Sequence, residues 1–332
     1  MEYIGIDIGG TKVSGAIFDN KNNIITTETL YLEGRGGDDA ASLIFSLCDK
    51  LMNRSSAETS GIGSTTTGSM NIGISIPGIA YSKTGRVWAP NIPEWDNYPL
   101  KDKFAKRYPY SSVTIESDRT CYILGEVSRG AAKGCQNAIF IAVGTGIGAG
   151  ILIDGRVLHG ASDIVGATGW MALKPPYQTE WDGRGCFESF CSGTGIALET
   201  RKMVSEMVGT QKYNGILTTY PIDKIGTREI FAAHEQGDPI AAKVIENAIE
   251  MWGMAAANFV SLFNPEMVIF GGGVFGPAAK FIDKIYDQAL KWAQPIAIRE
   301  CRFAATLLPD TAGLYGAGAI ARMKDKGIKA SR

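Results

Sequence analysis

Three short stretches of the 332-residue chain join glycine to hydroxyl or basic side chains in a way suited to holding an anion: Gly9-Gly10-Thr11-Lys12, Gly144-Thr145-Gly146 and Gly271-Gly272-Gly273. Successive glycines let backbone N–H groups converge on a negative charge with no Cβ in the way. The threonine hydroxyl adds a donor, and Lys12 adds a point charge suited to phosphate. Taken singly, each stretch also reads as an ordinary tight turn. Two turns at matching places, plus a third at a strand end, favour phosphate binding. The chain has no G-x-x-x-x-G-K-[ST] loop, and Gly144 to Gly150 falls between two expected strands, so neither a P-loop nor a dinucleotide fingerprint is supported.

Phosphoryl transfer needs a metal on the phosphates and a base for the attacking hydroxyl. Asp7 stands just before the first turn, where a carboxylate could hold Mg²⁺ directly or through water. Capping the turn is the alternative role. Asp118 follows Val113-Thr114-Ile115-Glu116-Ser117 and precedes a helical stretch, Arg119 to Arg129. It fits a general base fixed at the mouth of a sheet, and it also fits a helix N-cap.

The elements that must position these groups follow from the apolar pattern. Tyr3 to Ile8, Val13 to Phe18 and Ile24 to Leu32 read as a three-strand meander. Ala40, Leu43, Ile44, Leu47, Cys48 and Leu51 are spaced as one face of a helix, and Ser55 to Gly68 reads as a mobile loop. A short strand, Ile72 to Ile76, ends at Pro77-Gly78. The order strand, Gly-Thr turn, strand, turn, strand recurs in Ala138 to Val143, Gly148 to Ile153 and Arg156 to His159. This repeat predicts two similar sheets facing one another, each presenting a glycine turn to a shared cleft. Asp238-Pro239 opens a helix running through Trp252, and Asn264-Pro265 closes its successor. Met267 to Phe270 is a strand stopping at the third glycine run. A small-residue helix, Ala312 to Met323, returns to the first sheet, and the charged tail 324–332 is expected to fray. The expected division is a small α/β domain of residues 1–117 plus 312–332 and a larger one of residues 118–311.

Composition sets the class. The length suits about two domains, with 45% apolar and 20% charged residues. Lys+Arg 33 against Asp+Glu 34 leaves a net charge of -1, which argues against a nucleic-acid or anionic-membrane partner. No run approaches the roughly 18 apolar residues of a membrane span. The first residues show no basic segment or cleavage site of a secretory signal. Six scattered cysteines read as reduced thiols, so a cytoplasmic enzyme is expected.

Taken together, these motifs resemble the ROK family (repressor, open reading frame, kinase) of bacterial sugar kinases, over nearly the whole chain. Asp7-Ile8-Gly9-Gly10-Thr11-Lys12 is similar to its first phosphate motif and Gly144 to Gly150 to its second. Gly271-Gly272-Gly273-Val274 is similar to its adenosine loop. Ile76-Pro77-Gly78 and Ala89 to Trp95 resemble its sugar-side loop, and Glu116-Ser117-Asp118 its catalytic segment. The resemblance implies the two-domain actin-like ATPase (ribonuclease H-like) fold, an α/β architecture of duplicated mixed sheets flanked by helices. It implies ATP with Mg²⁺, and Asp118 as the base that takes a proton from a primary hydroxyl, usually O6 of a hexose. Gly78, Asn91, Ser117, Glu188 and Trp170 fall on the sugar side. The family tends to dimerise, which raises a homodimer here.

Departures from the family pattern are equally informative. The family commonly has Glu-x-Gly-His after the second phosphate motif, the glutamate for the sugar's anomeric end and the histidine for zinc. Here the segment reads Ala167-Thr168-Gly169-Trp170. Of the family's zinc thiolates only Cys186 remains, so no zinc site is expected. His159, at a strand end, and His234, near a helix end, read as solvent-facing or helix-end residues. Ser117 stands where asparagine is usual. The pocket should therefore favour an N-acyl sugar, glycoside, cyclitol or ketose over free glucose. Trp170 or Trp181 would stack on it, or merely fill the space left by zinc. Glu188 and Asn91 remain as hydroxyl partners.

Two other readings compete with the kinase. A non-catalytic sugar-binding regulator of the same family would carry an N-terminal helix-turn-helix, for which the first strand at Tyr3 leaves no room. An actin-like chaperone or filament ATPase would not need the Pro90-Asn91 and Glu116-Ser117-Asp118 segments.

Overall fold

The structure is a computed structural model that describes residues 2–59, 70–209 and 213–323. In chain order the elements are β1 (Tyr3–Ile8), β2 (Lys12–Phe18), β3 (Ile24–Tyr31), α1 (Gly37–Thr59), β4 (Asn71–Ile76), β5 (Ile79–Ala80), β6 (Val87–Trp88) and α2 (Leu100–Arg107). Then come β7 (Val113–Ser117), α3 (Asp118–Arg129), β8 (Ala138–Val143), β9 (Ile147–Ile153) and β10 (Arg156–Val157). They are followed by α4 (Cys186–Cys191), α5 (Gly193–Gly209), α6 (Thr227–Glu235), α7 (Pro239–Phe263) and β11 (Met267–Gly271). The last are α8 (Ile282–Ala289), α9 (Ala297–Glu300), β12 (Arg302–Ala305) and α10 (Ala312–Met323).

Two five-stranded mixed sheets carry the fold, with orders β3-β2-β1-β4-β7 and β10-β9-β8-β11-β12. The twofold recurrence seen in the sequence is thus real at the level of architecture. In the first sheet β1 runs antiparallel to β2 and parallel to β4, and β4 runs parallel to β7. That register sets Asp7 beside Ser75 and Ser75 beside Glu116, at the carboxyl ends of three parallel strands. Carboxyl ends of parallel strands are where ligands bind in open α/β sheets. In the second sheet β11 lies parallel to both β8 and β12, with Gly271 opposite Ala142.

The chain divides into two compact units, Met1–Gly134 with Gly150–Val165 and Asp310–Arg332, and Cys135–Ala149 with Gly166–Pro309. The first unit runs past Ser117 to take in α3, because α3 and α10 pack backbone to backbone through glycine. A Cβ at Gly316 would lie 1.9 Å from the Cys121 carbonyl oxygen, and one at Gly125 would lie 2.2 Å from that of Ala312. Its core gathers the isoleucines of β1 and β4, the inner face of α1, Trp95 and Phe104.

Three local expectations change. Residues 55 to 59 continue α1 and are not loop, while the rest of the expected loop, 60–68, and the tail 324–332 lie outside the described residues. The helix opened by Asp238-Pro239 has no successor before Asn264: α7 runs unbroken from Pro239 to Phe263. Asp238 Oδ1 accepts from the N–H groups of Ile240 and Ala241 at 3.0 Å each, and Asn264 closes the helix with φ 45°. Gly253, the one helix-weakening residue inside, is needed for close packing, since a Cβ there would meet the Gln288 side chain at 2.5 Å. The third strand of the second meander stops at Val157, two residues short of His159.

Candidate active site

In the first unit, Asp7 is the penultimate residue of β1, and the turn that follows is closed by the Gly9 N–H bonding the Lys12 carbonyl at 2.9 Å. The N–H groups of Gly10 and Thr11 take no partner among the described residues. Asn91 packs on this turn, its Cβ 3.1 Å from where a Cβ of Gly10 would be. Lys12 is exposed. Asp7 keeps some accessible surface, yet its carboxyl is enclosed enough that burial pushes it up to about 6. Ser75 and Lys12 oppose that rise, and the neighbouring charge of Asp118 adds to it. The Ser75 hydroxyl is fully buried and makes no hydrogen bond of standard geometry.

Asp118 is the first residue of α3, and the N-cap position falls on Ser117, whose side chain makes no capping bond. Asp118 Oδ1 accepts from the Arg119 N–H at 2.8 Å and from the Ser117 hydroxyl at 3.3 Å. Asp118 Oδ2 accepts from the Tyr122 hydroxyl at 3.3 Å. Arg119 Nε in turn donates to Ser117 Oγ at 3.2 Å. Burial raises the Asp118 carboxyl against the pull of Arg119, Ser117 and Tyr122, and the charge of Asp118 raises the Tyr122 phenol well above its ordinary value. A carboxylate so oriented, with an elevated pKa, is chemically suited to accept a proton.

His159 corrects the sequence reading. It does not face solvent: Nε2 lies 3.0 Å from Glu116 Oε2, with the two side chains 19% and 17% exposed. The pair lines a cavity of about 10 Å³ with Ser117, Thr120 and Asp163, and Asp163 also accepts from the Ser82 N–H at 2.9 Å. His234 does sit in the last turn of α6, edge-on to Phe281, and burial lowers its pKa. Gly78 is structural in its immediate surroundings, since a Cβ there would lie 1.9 Å from the Trp88 carbonyl oxygen.

In the second unit, the Gly144 turn repeats the device of the first. The Gly144 N–H closes it on the Gly146 carbonyl at 2.9 Å, and the N–H groups of Thr145 and Gly146 take no partner among the described residues. Gly272, with φ 88°, passes so near the end of β8 that a Cβ would lie 2.5 Å from the Val143 carbonyl oxygen. Gly193, at the start of α5, donates to the Gly144 carbonyl at 2.7 Å and lies near Val274. The second and third glycine runs therefore meet around one helix start. Glu188 is half-buried and already engaged: Oε2 accepts from the Ile147 N–H at 2.7 Å. Trp170 is 59% exposed on a short 3₁₀ turn, whereas Trp181 is buried against Tyr177 and Phe190. Trp181 thus fills space, and Trp170 has a face to offer. Among the described residues no group of three or more His, Cys, Asp or Glu side chains could hold a metal ion by itself.

Sequence reasoning missed Ser75, Tyr122, Arg119 and Gly193. Tyr122 had a signal, its i, i+4 spacing from Asp118 on a helix. Ser75 had none, because only strand register sets it beside Asp7.

Two mixed sheets flanked by helices, with glycine turns after the first strand of each, define the actin-like ATPase fold. Within it, the chain belongs to the ROK family, whose model matches residues 3–324. It is 28% identical over 333 residues to a glucokinase of Halalkalibacterium halodurans, covering 98% of this chain and 97% of that protein. It is 25% identical to an N-acetyl-D-glucosamine kinase of Citrobacter koseri, over 95% of this chain and 97% of that one. Among solved structures it resembles a ROK family glucokinase from Streptomyces griseus in complex with glucose and AMPPNP, with TM-score 0.73 and 26% identity over 97% of this chain and all of that one. A ROK hexokinase from Thermus thermophilus superposes with TM-score 0.77 at 25% identity, over 98% and 100% of the two chains.

Proposed function

We propose that this protein is an ATP-dependent kinase that phosphorylates a primary hydroxyl of a sugar or sugar-like molecule. The observation that carries the reading is Asp118: a carboxylate with raised pKa, both oxygens held by hydrogen bonds, next to a second carboxylate at the mouth of a phosphate-type turn. Asp118 accepts the proton of the attacking hydroxyl as the bond to the γ-phosphorus forms. The free amides of Gly10 and Thr11, and of Thr145 and Gly146, with Lys12, bind phosphate oxygens, and Gly271-Gly272-Gly273 take the adenosine side. The kinases among the relatives support this assignment.

A divalent cation suits the residues present. Asp7 is a partly buried carboxylate raised chiefly by burial and further by its neighbour Asp118, and the Ser75 hydroxyl adds an oxygen beside it. Mg²⁺ bound there would neutralise charge on the nucleotide phosphates. Asp7 and Ser75 supply few ligands, which fits an ion that keeps several waters and takes the rest from phosphate.

The substrate side favours a molecule unlike free glucose at the end that faces Ala167 and Trp170. Ala167 offers no hydroxyl partner, and the exposed Trp170 offers an apolar face. Asn91, Gly78 and Ser117 complete the proposed substrate contacts, with Glu188. Six free, buried cysteines accord with a cytoplasmic setting. A regulator of the same family is the second reading, prompted by 28% identity to a xylose repressor of Caldicellulosiruptor bescii over 86% of this chain.

A coupled ADP-release assay with ATP and Mg²⁺ over N-acyl hexosamines, ketoses, cyclitols, glycosides and glucose tests the proposal. Turnover with one class, lowered about 10²-fold or more in Asp118→Ala, is expected. No turnover with any sugar supports the regulator, ATP hydrolysis without sugar supports an ATPase, and efficient glucose turnover refutes the altered pocket.

A further inference from the structure

Glu188 is tied into the second phosphate turn more firmly than a substrate contact requires. Its Oε2 accepts the N–H of Ile147, the residue that leaves the turn, at 2.7 Å. Two glycines make room for that oxygen: a Cβ at Gly146 would lie 2.7 Å from Oε2, and one at Gly169 would lie 2.8 Å from it. Five residues on, the Gly193 N–H bonds the carbonyl of Gly144, the residue that enters the turn, at 2.7 Å. The stretch from Glu188 to Gly193 therefore grips the turn at both ends. This grip is itself rigid, because Phe187 is fully buried and the indole N–H of the buried Trp252 holds the Cys191 carbonyl at 3.2 Å.

We infer that Glu188 is a positioning residue of the nucleotide site, holding the Gly144-Thr145-Gly146 turn in the shape that leaves the Thr145 and Gly146 amides free for phosphate. The inference rests on the nucleotide-binding reading of that turn and assigns Glu188 a role separate from any contact with sugar. A carboxylate beside a phosphate site opposes the ligand's charge, so its usefulness lies in accepting the Ile147 N–H. Loss of the acceptor leaves that N–H unsatisfied and the turn free to relax.

The test is calorimetric binding of AMPPNP with Mg²⁺, in the absence of sugar, to the full chain. Glu188→Ala removes the acceptor and should weaken binding about tenfold or more. Glu188→Gln keeps an oxygen acceptor and should bind within about threefold of the unmodified protein. Gly169→Ala, outside the turn, pushes the carboxylate aside and should weaken binding as Glu188→Ala does, with no further loss in the double variant. Should Glu188→Ala fail to fold, the contrast between Glu188→Gln and Gly169→Ala still decides. Unchanged AMPPNP affinity in Glu188→Ala or Gly169→Ala overturns the inference and leaves nucleotide binding standing. No AMPPNP binding by the unmodified protein removes the nucleotide-site reading itself, and the inference with it.

Discussion

The carboxyl group of Asp7 lies so close to Gly313 that a Cβ at position 313 would stand 2.6 Å from Asp7 Cγ and from both carboxylate oxygens. Gly313 is the second residue of α10, so the acid meets the positive end of a helix at its first turn. Nothing larger than hydrogen fits between them. Gly313→Ala should therefore displace Asp7, lowering turnover more than tenfold and stability by about 1–3 kcal/mol. Steady-state assays and thermal melts of the variant check both figures.

Asp7 should show the usual conflict between function and stability. Its pKa of about 6 exceeds the ordinary 3.8, so the folded state prefers the protonated form. Below pH 3.8 both folded and unfolded chains hold the proton and no penalty exists. As pH rises toward 6 the unfolded chain releases its proton first, and stability falls by roughly 3 kcal/mol. Asp7→Asn, which has no proton to lose, should be inactive yet more stable than the parent at pH 8 without metal, with the gain vanishing near pH 4. Urea unfolding at the two pH values measures it, and an equal effect at both would refute the assignment.

Asp118→Ala should lower turnover about 10²-fold or more while AMPPNP affinity stays unchanged. A variant that retains most of its rate would reduce Asp118 to an acid in the first turn of α3.

Tyr122 donates to Asp118 Oδ2 and so favours the ionised base. Tyr122→Phe removes that donor and should raise the Asp118 pKa, shifting the acid limb of the kcat/KM profile to higher pH. A fall in kcat of roughly three- to tenfold at neutral pH accompanies the shift. A drop in rate with an unmoved profile would mean that Tyr122 only packs.

Much of this was readable from residue order. The β1 strand, the three glycine runs and α10 fall where apolar pattern and turn residues put them, because each depends on neighbours within a few positions. Continuity of α7 was harder to see, since Gly253 weakens a helix unless something must approach it, and α8 does. The Glu116–His159 pair joins residues 43 apart, and no local signal marks it. Glu188 read as a sugar contact from its place in the family motif, and its hold on Ile147, which depends on how α4 meets β9, has no local signal.

The linear order of residues thus determined backbone conformation at the turns, the caps and the identity of the acids available for chemistry. Only the folded structure decided the ionisation of those acids. Burial raises the Asp7 carboxyl most, Asp118 at the start of α3 adds to the rise, and Ser75, which strand pairing alone sets beside Asp7, opposes it.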